Sequence, residues 1–171
     1  MAERGSITIR PNASGRLWRE DPDEWRKICS ADGCPWCQGS GPPPNEILAE
    51  TRTCWVTGGV SATIAGYVCV STKVHAVEPY ELDDDVRCDF WIDAMTVARG
   101  LAEAVEPVKM NYEIHGNTIP HVHMHLFPRT SDDPYVGYPI HNRTRVTRTP
   151  EQLAAIGRTI RAHLESSGRL T

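Results

Sequence analysis

Hydrophobic and polar positions recur with a readable period over most of this chain. Residues 46–57 alternate loosely and hold β-branched and aromatic side chains, which predicts a strand. Gly58 and Gly59 suggest a turn, and residues 63–71 (TIAGYVCVS) predict a second strand paired with the first as a hairpin. The period then changes. Val86, Phe90, Ala94, Val97, Ala98, Leu101 and Val105 recur at helical spacing. Asp83, Asp84 and Asp85 precede them, where acids suit the positive end of a helix, and Pro107 stops the run. Residues 108–114 alternate as a strand does and break at Gly116, and residues 122–127 form a further strand ending at Pro128. Thr149, Pro150, Glu151 and Gln152 have the form of a capping box with proline at the first helical position, opening a helix to about Ser166. The order strand, strand, helix, strand, strand, helix predicts an α+β domain. Its sheet is mainly antiparallel, with one long helix and one C-terminal helix.

The segment 39–45 (GSGPPPN) suits neither helix nor central strand and reads as a linker. It divides an N-terminal arm, residues 1–45, from a main body, residues 46–171, within what 171 residues make a single compact domain. With 40% hydrophobic and 23% charged residues the composition is that of an ordinary globular protein. The net charge of −4 comes without a long basic run, which argues against a nucleic-acid polymer as partner. No apolar run approaches the roughly 20 residues a bilayer needs, and residues 1–10 lack the apolar stretch of a secretory leader. A cytoplasmic location is the expectation, and no membrane partner is expected.

Chemistry concentrates in one short stretch. His121, His123 and His125 alternate with Val122, Met124 and Leu126, so a strand there turns three imidazoles to one face and an apolar row to the other. Two uses of such a row compete. Histidines two apart on a strand can share a metal ion, giving a zinc hydrolase with the row as catalytic ligands. Neutral imidazole is also a competent nucleophile when a neighbour orients the ring. Periodicity alone does not choose between them.

The stretch 111–129 (NYEIHGNTIPHVHMHLFPR) closely resembles the signature of the histidine triad superfamily, His-φ-His-φ-His-φ-φ with φ hydrophobic. His121 through Phe127 match at every position, and the resemblance extends more weakly back to Glu46. It implies a nucleotide hydrolase or nucleotidyl transferase acting at an α-phosphate, on dinucleoside polyphosphates or nucleoside phosphoramidates. By the same resemblance His123 is the nucleophile and forms a nucleotidyl-histidine intermediate. His125 contacts the phosphate and helps manage the leaving-group proton. Asn111 and the polar loop Gly116, Asn117 and Thr118 stand where the family faces the phosphates, with Asn117 and Thr118 donating to non-bridging oxygens. The resemblance also implies a homodimer built by extending the sheet. A module that binds nucleotides without turnover is the remaining alternative.

Cys34 and Cys37 form a two-residue-spaced pair. A thioredoxin-like redox role needs a preceding strand and a following long helix, and neither is indicated around residues 30–45. A structural zinc site needs two more ligands. His75 stands where zinc-containing members of the resembled family carry a histidine, and there the first triad histidine completes the set. The resemblance therefore implies zinc held by Cys34, Cys37, His75 and His121, with Cys29 as a rival ligand. Cys54, Cys69 and Cys88 lie in apolar stretches and read as small buried hydrophobes. His115, His141 and His163 read as surface residues, and Trp18, Trp25 and Trp55 as core or interface anchors. Arg129 is equally a phosphate ligand or an ordinary surface arginine. Substrate choice is assigned to residues 130–148 and the first thirty residues.

Overall fold

The structure is a computed structural model that describes residues 17–39, 41–141 and 145–171. Residues 1–10, read above as lacking a leader, and part of the segments assigned to substrate choice lie outside the described residues. The arm holds three short helices, α1 (Leu17–Glu20), α2 (Pro22–Ile28) and α3 (Pro35–Gln38). Asp21 caps α2 by accepting from the Glu24 amide, and Pro22 takes the first position. The main sheet is built from β1 (Ile47–Glu50), β2 (Cys54–Thr57), β4 (Val68–Thr72), β5 (Lys109–Glu113) and β6 (His123–Arg129). Its order is β1-β2-β4-β6-β5, with every neighbouring pair antiparallel. A second, two-stranded sheet pairs β3 (Ser61–Ala62) with β7 (Val146–Thr147). The helices α4 (Asp84–Val105) and α5 (Pro150–Ser166) complete the α+β fold expected.

One face of the main sheet is dry. Val56, Val68, Val70, Val122, Met124 and Leu126 join Phe90, Ala94, Val97 and Leu101 of α4 in one buried cluster. The helical spacing read from the sequence is the stripe that α4 lays on the sheet. Helix α5 adds Ile156, Ile160 and Leu164, and its Thr149/Gln152 capping box is formed. The two helices pack closely at Gly100, where a Cβ would stand 2.8 Å from Ile160 Cα. Buried Asp93 on α4 accepts from the hydroxyls of Thr51 and Thr53 and pairs with Arg169, tying the first hairpin and the C-terminus to the helix.

Some boundaries differ from expectation. The single strand expected over 46–57 is two strands, because Thr51 folds its hydroxyl back onto the amides of Thr53 and Cys54 and turns the chain. β2 does pair β4, but not through a tight turn at Gly58 and Gly59. The chain instead makes an excursion over residues 58–67 and enters β4 only at Val68. Pro128 does not end β6. The pairing of β6 with β4 stops at Leu126, so the missing proline N–H falls where β6 keeps only β5 as its neighbour. Cys54 and Cys69 are buried, as read, whereas Cys88 is exposed on α4. Trp18 is half exposed and meets Trp25 edge-on rather than anchoring the core.

Arg148 is the largest fully buried side chain among the described residues. Its guanidinium donates to the carbonyls of Gly59, Ala65 and Tyr67, so a residue beside β7 holds the excursion in place. Replacing it by an apolar residue strands these acceptors, at roughly 1–3 kcal/mol each when they stay dry. We expect Arg148→Met to lower unfolding free energy by at least about 2 kcal/mol in urea titration.

Candidate active site

The second face of the sheet carries the chemistry. Odd-numbered residues of β6 point to it, and Ser71 and Cys69 of β4 stand opposite His123 and His125 in the register. Helix α3 lies above this face, with the Trp36 ring 5.4 Å from His121 and 5.3 Å from His123. An open cavity of about 510 Å³ runs along it, with His115, Asn117, Thr118, His123 and His125 among its walls. That volume suits a small organic ligand.

The three histidines are held differently. His123 Nδ1 lies 2.6 Å from the His121 carbonyl oxygen, to which only an N–H can donate, so the lone pair is on Nε2. His123 is nearly buried, and burial lowers its pKa, so the ring is neutral. His125 Nδ1 lies 2.8 Å from the Tyr67 hydroxyl. Burial, and then the neighbouring Cys69, raises the Tyr67 pKa and keeps that hydroxyl protonated. The bond orients the His125 ring through Nδ1 and turns Nε2 away from Tyr67. Burial first, then His123 and His115, push the His125 pKa down to about 3.

His121 turns toward the arm instead. Its Nδ1 lies 3.6 Å from Cys34 Sγ and 3.7 Å from Cys37 Sγ, while His75 Nδ1 lies 3.5 Å from Cys37 Sγ. All four ligand atoms fall within 4.8 Å of one another. A tetrahedral ion with bonds of about 2.3 Å to sulfur and 2.0–2.1 Å to nitrogen has S···N edges of about 3.6 Å. The cluster thus has the dimensions of a closed four-coordinate metal site. Both rings bond backbone carbonyls with their other nitrogen, His121 Nε2 to Thr72 at 2.8 Å and His75 Nε2 to Cys29 at 3.0 Å. Such outer bonds fix the tautomer a ligand needs. Cys29 enters through its carbonyl, and its thiol is not among the four ligand atoms.

The HIT domain model matches residues 41–132, more than half of the chain. The chain belongs to the HIT family. It is 25% identical over 143 residues to the adenosine 5'-monophosphoramidase hnt1 of Schizosaccharomyces pombe, covering 77% of this chain and 98% of that protein. A histidine triad protein from Marinobacter aquaeolei matches its fold with a TM-score of 0.61 at 27% identity, over 70% of this chain and 88% of that one. A zinc-bound histidine triad family protein from Mycobacterium smegmatis shares the fold at 19% identity and a TM-score of 0.56, over 81% of this chain and 98% of that one.

Within this HIT fold, the structure gathers Asn117, Thr118, His123 and His125 on one cavity and Cys34, Cys37, His75 and His121 on the cluster beside it. It does not bring Asn111 to the cavity. Asn111 pairs with Phe127, one strand period beyond His125, and its amide oxygen accepts from Arg129 at 3.0 Å. Arg129 is taken up by Asp133, Asn111 and the Tyr138 carbonyl. His163 is a surface residue paired with Glu103, and His141 lies edge-on to Tyr135. His115 is exposed, as expected, and also stands in the cavity wall 5.8 Å from His125. Tyr67 and Trp36 were not singled out for the site either. Their only signal was position, beside a strand start and between the two cysteines.

His125 is neutral when folded down to about pH 3 but protonates near pH 6.5 when unfolded. The unfolded chain thus binds the extra proton between those values, and stability falls as pH drops through that window. One such group contributes a slope of up to about 1.4 kcal/mol per pH unit. Thermal unfolding between pH 8 and pH 4 is expected to show the decline beginning below about 6.5, and His125→Gln to shallow it.

Proposed function

We propose that this protein is a nucleotide hydrolase or nucleotidyl transferase that works at an α-phosphate through a nucleotidyl-histidine intermediate. The observation that carries the reading is the state of His123. It is neutral, its Nδ1–H is held by the His121 carbonyl, and its Nε2 lone pair is left for the cavity. In the first half-reaction Nε2 attacks phosphorus and the leaving group departs. In the second, water or another acceptor displaces His123, so one difficult step becomes two easier ones. His125 Nε2–H, with Asn117 and Thr118, donates to the non-bridging oxygens, where charge is redistributed in the transition state. The name of the yeast monophosphoramidase relative supports small nucleotides as substrates.

The zinc-hydrolase alternative asks the three triad rings to converge on one ion. They diverge: His121 faces the sulfurs, His123 the His121 carbonyl and His125 the Tyr67 hydroxyl. We assign zinc instead to Cys34, Cys37, His75 and His121 as a structural ion, supported by the mixed thiolate–imidazole set and its tetrahedral spacing. With four protein ligands no position is left for substrate. Residues 1–45 then serve as an arm joined through that ion to a catalytic domain over 46–171. The six free cysteines support a reducing, cytoplasmic setting. Exposed Tyr112 on the edge strand β5 and exposed Trp91 and Ile92 on α4 support a homodimer that extends the sheet.

Incubation with an adenosine 5'-phosphoramidate, acid-free quenching and peptide mass mapping should find adenylate on His123. His123→Asn should lose turnover by at least about 10³-fold with its unfolding midpoint kept. A label on another residue, or an active His123→Asn, would refute the reading. For the metal, elemental analysis should find one zinc per chain in the wild type and in His123→Asn, and far less in Cys34→Ser. Zinc lost with His123 but kept without Cys34 would return the ion to the catalytic row.

A further inference from the structure

An in-line displacement at phosphorus sends the leaving group out on the side away from the attacking atom. Here the attacking atom belongs to His123. The row on this face continues from it through His125, 4.8 Å away between ring centroids, to Phe127. A second cavity, of about 250 Å³, opens at that end of the row. It shares Tyr67, His115, His125 and Ile140 with the main cavity, so the two adjoin at His125.

The outer wall of the second cavity comes from residues 133–148, past the residues 41–132 that the HIT model matches. Both ends of that segment are pinned. Asp133 pairs with Arg129 and accepts from the Tyr135 amide at 2.7 Å, and the buried Tyr135 ring joins Ile64 and Phe127 in a small apolar cluster. Arg148 is buried at the other end. Between them Ile140, His141 and Arg145 are set against the cavity, with the His141 carbonyl accepting from the Tyr135 hydroxyl.

Charge on these walls is uneven. Glu113 is the one carboxylate among the described lining residues, and His115 holds it at 2.9 Å. The Arg145 side chain, in contrast, makes no hydrogen bond or ion pair among the described residues. A guanidinium presents paired N–H groups that match a carboxylate or a phosphate. Phe127 and Ile140 give the space between Arg145 and His125 an apolar lining.

We propose that the second cavity is the leaving-group subsite, and that Arg145 selects leaving groups with an anionic head, a carboxylate or a phosphate, a few bonds from the atom that leaves phosphorus. The proposal rests on the nucleotidyl-transfer reading above. The nucleotidyl half occupies the main cavity, and the released half passes His125 into the smaller one. Its volume suits a short chain with one head group.

The test uses adenosine 5'-phosphoramidates of four primary amines that differ in the far end of the chain. Propylamine has no head, β-alanine a carboxylate, aminoethyl phosphate a phosphate and ethylenediamine a cation. Amine release is measured as kcat/KM for wild type, Arg145→Gln and Arg145→Glu, with unfolding midpoints as controls. Wild type should favour the two acidic amines over propylamine by at least about tenfold, and the faster of the two identifies the source of the anion. That preference should shrink as salt is added, since Arg145 is exposed. Arg145→Gln should bring the ratio of acidic to neutral amine near one, and Arg145→Glu should turn the preference to ethylenediamine. AMP has no leaving group, so its inhibition should not follow these changes. No preference in wild type, a preference kept in Arg145→Gln, or AMP inhibition that falls with the preference overturns the subsite while leaving His123 as nucleophile. A wild type that releases none of the amines and takes no adenylate on His123 overturns the nucleotidyl-transfer reading and this inference with it.

Discussion

The bond of 2.6 Å between His123 Nδ1 and the His121 carbonyl sets the geometry of the whole catalytic face. It selects the tautomer of His123, fixes the ring plane and aims Nε2 into the cavity. It joins residues two apart at the entrance to β6, a strand that lies between β4 and β5 and so has little freedom to shift. The same His121 whose carbonyl is used here turns its ring to Cys34 and Cys37. One residue thus joins the arm, the sheet and His123. Trp36, carried between the two cysteines, completes the link by packing on both rings.

What the sequence made legible follows from local period. Alternation along β6 told which histidines share a face, and helical spacing from Val86 told which side of α4 meets the sheet, because both patterns are written in neighbouring residues. The cysteine pair was legible as half of a group that could hold a metal, but its partners His75 and His121 came from resemblance, since no local rule joins residues so far apart. The misread parts depend on long-range contacts. Thr51 and Thr53 look like strand residues until buried Asp93 claims their hydroxyls. Arg148 ends the stretch assigned to substrate choice, yet the carbonyls it serves lie more than eighty positions back in the chain. His115 carries no period at all. Its partner Glu113 is two residues away, and the register of β5 sets Glu113 opposite His125. Asn111 shows the reverse error. Resemblance placed it by sequence alignment, and the register with Phe127 sets it one strand period too far along.

The two faces of the sheet divide stability from function. On the helix side Phe90, Leu101, Met124, Leu126 and Ile160 are fully buried, and buried Asp93 is matched by Thr51, Thr53 and Arg169. On the other side the fold accepts costs. Ser71 Oγ, directly across from His123, is buried with no partner among the described residues, an arrangement that costs about 1–3 kcal/mol. His123 and His125 are held neutral by desolvation, which weakens the folded state in mild acid. These costs and the reactivity have one cause. The desolvation that keeps imidazole from binding a proton leaves its lone pair available to phosphorus, so stabilising this face by opening it to water would remove the property that makes it useful.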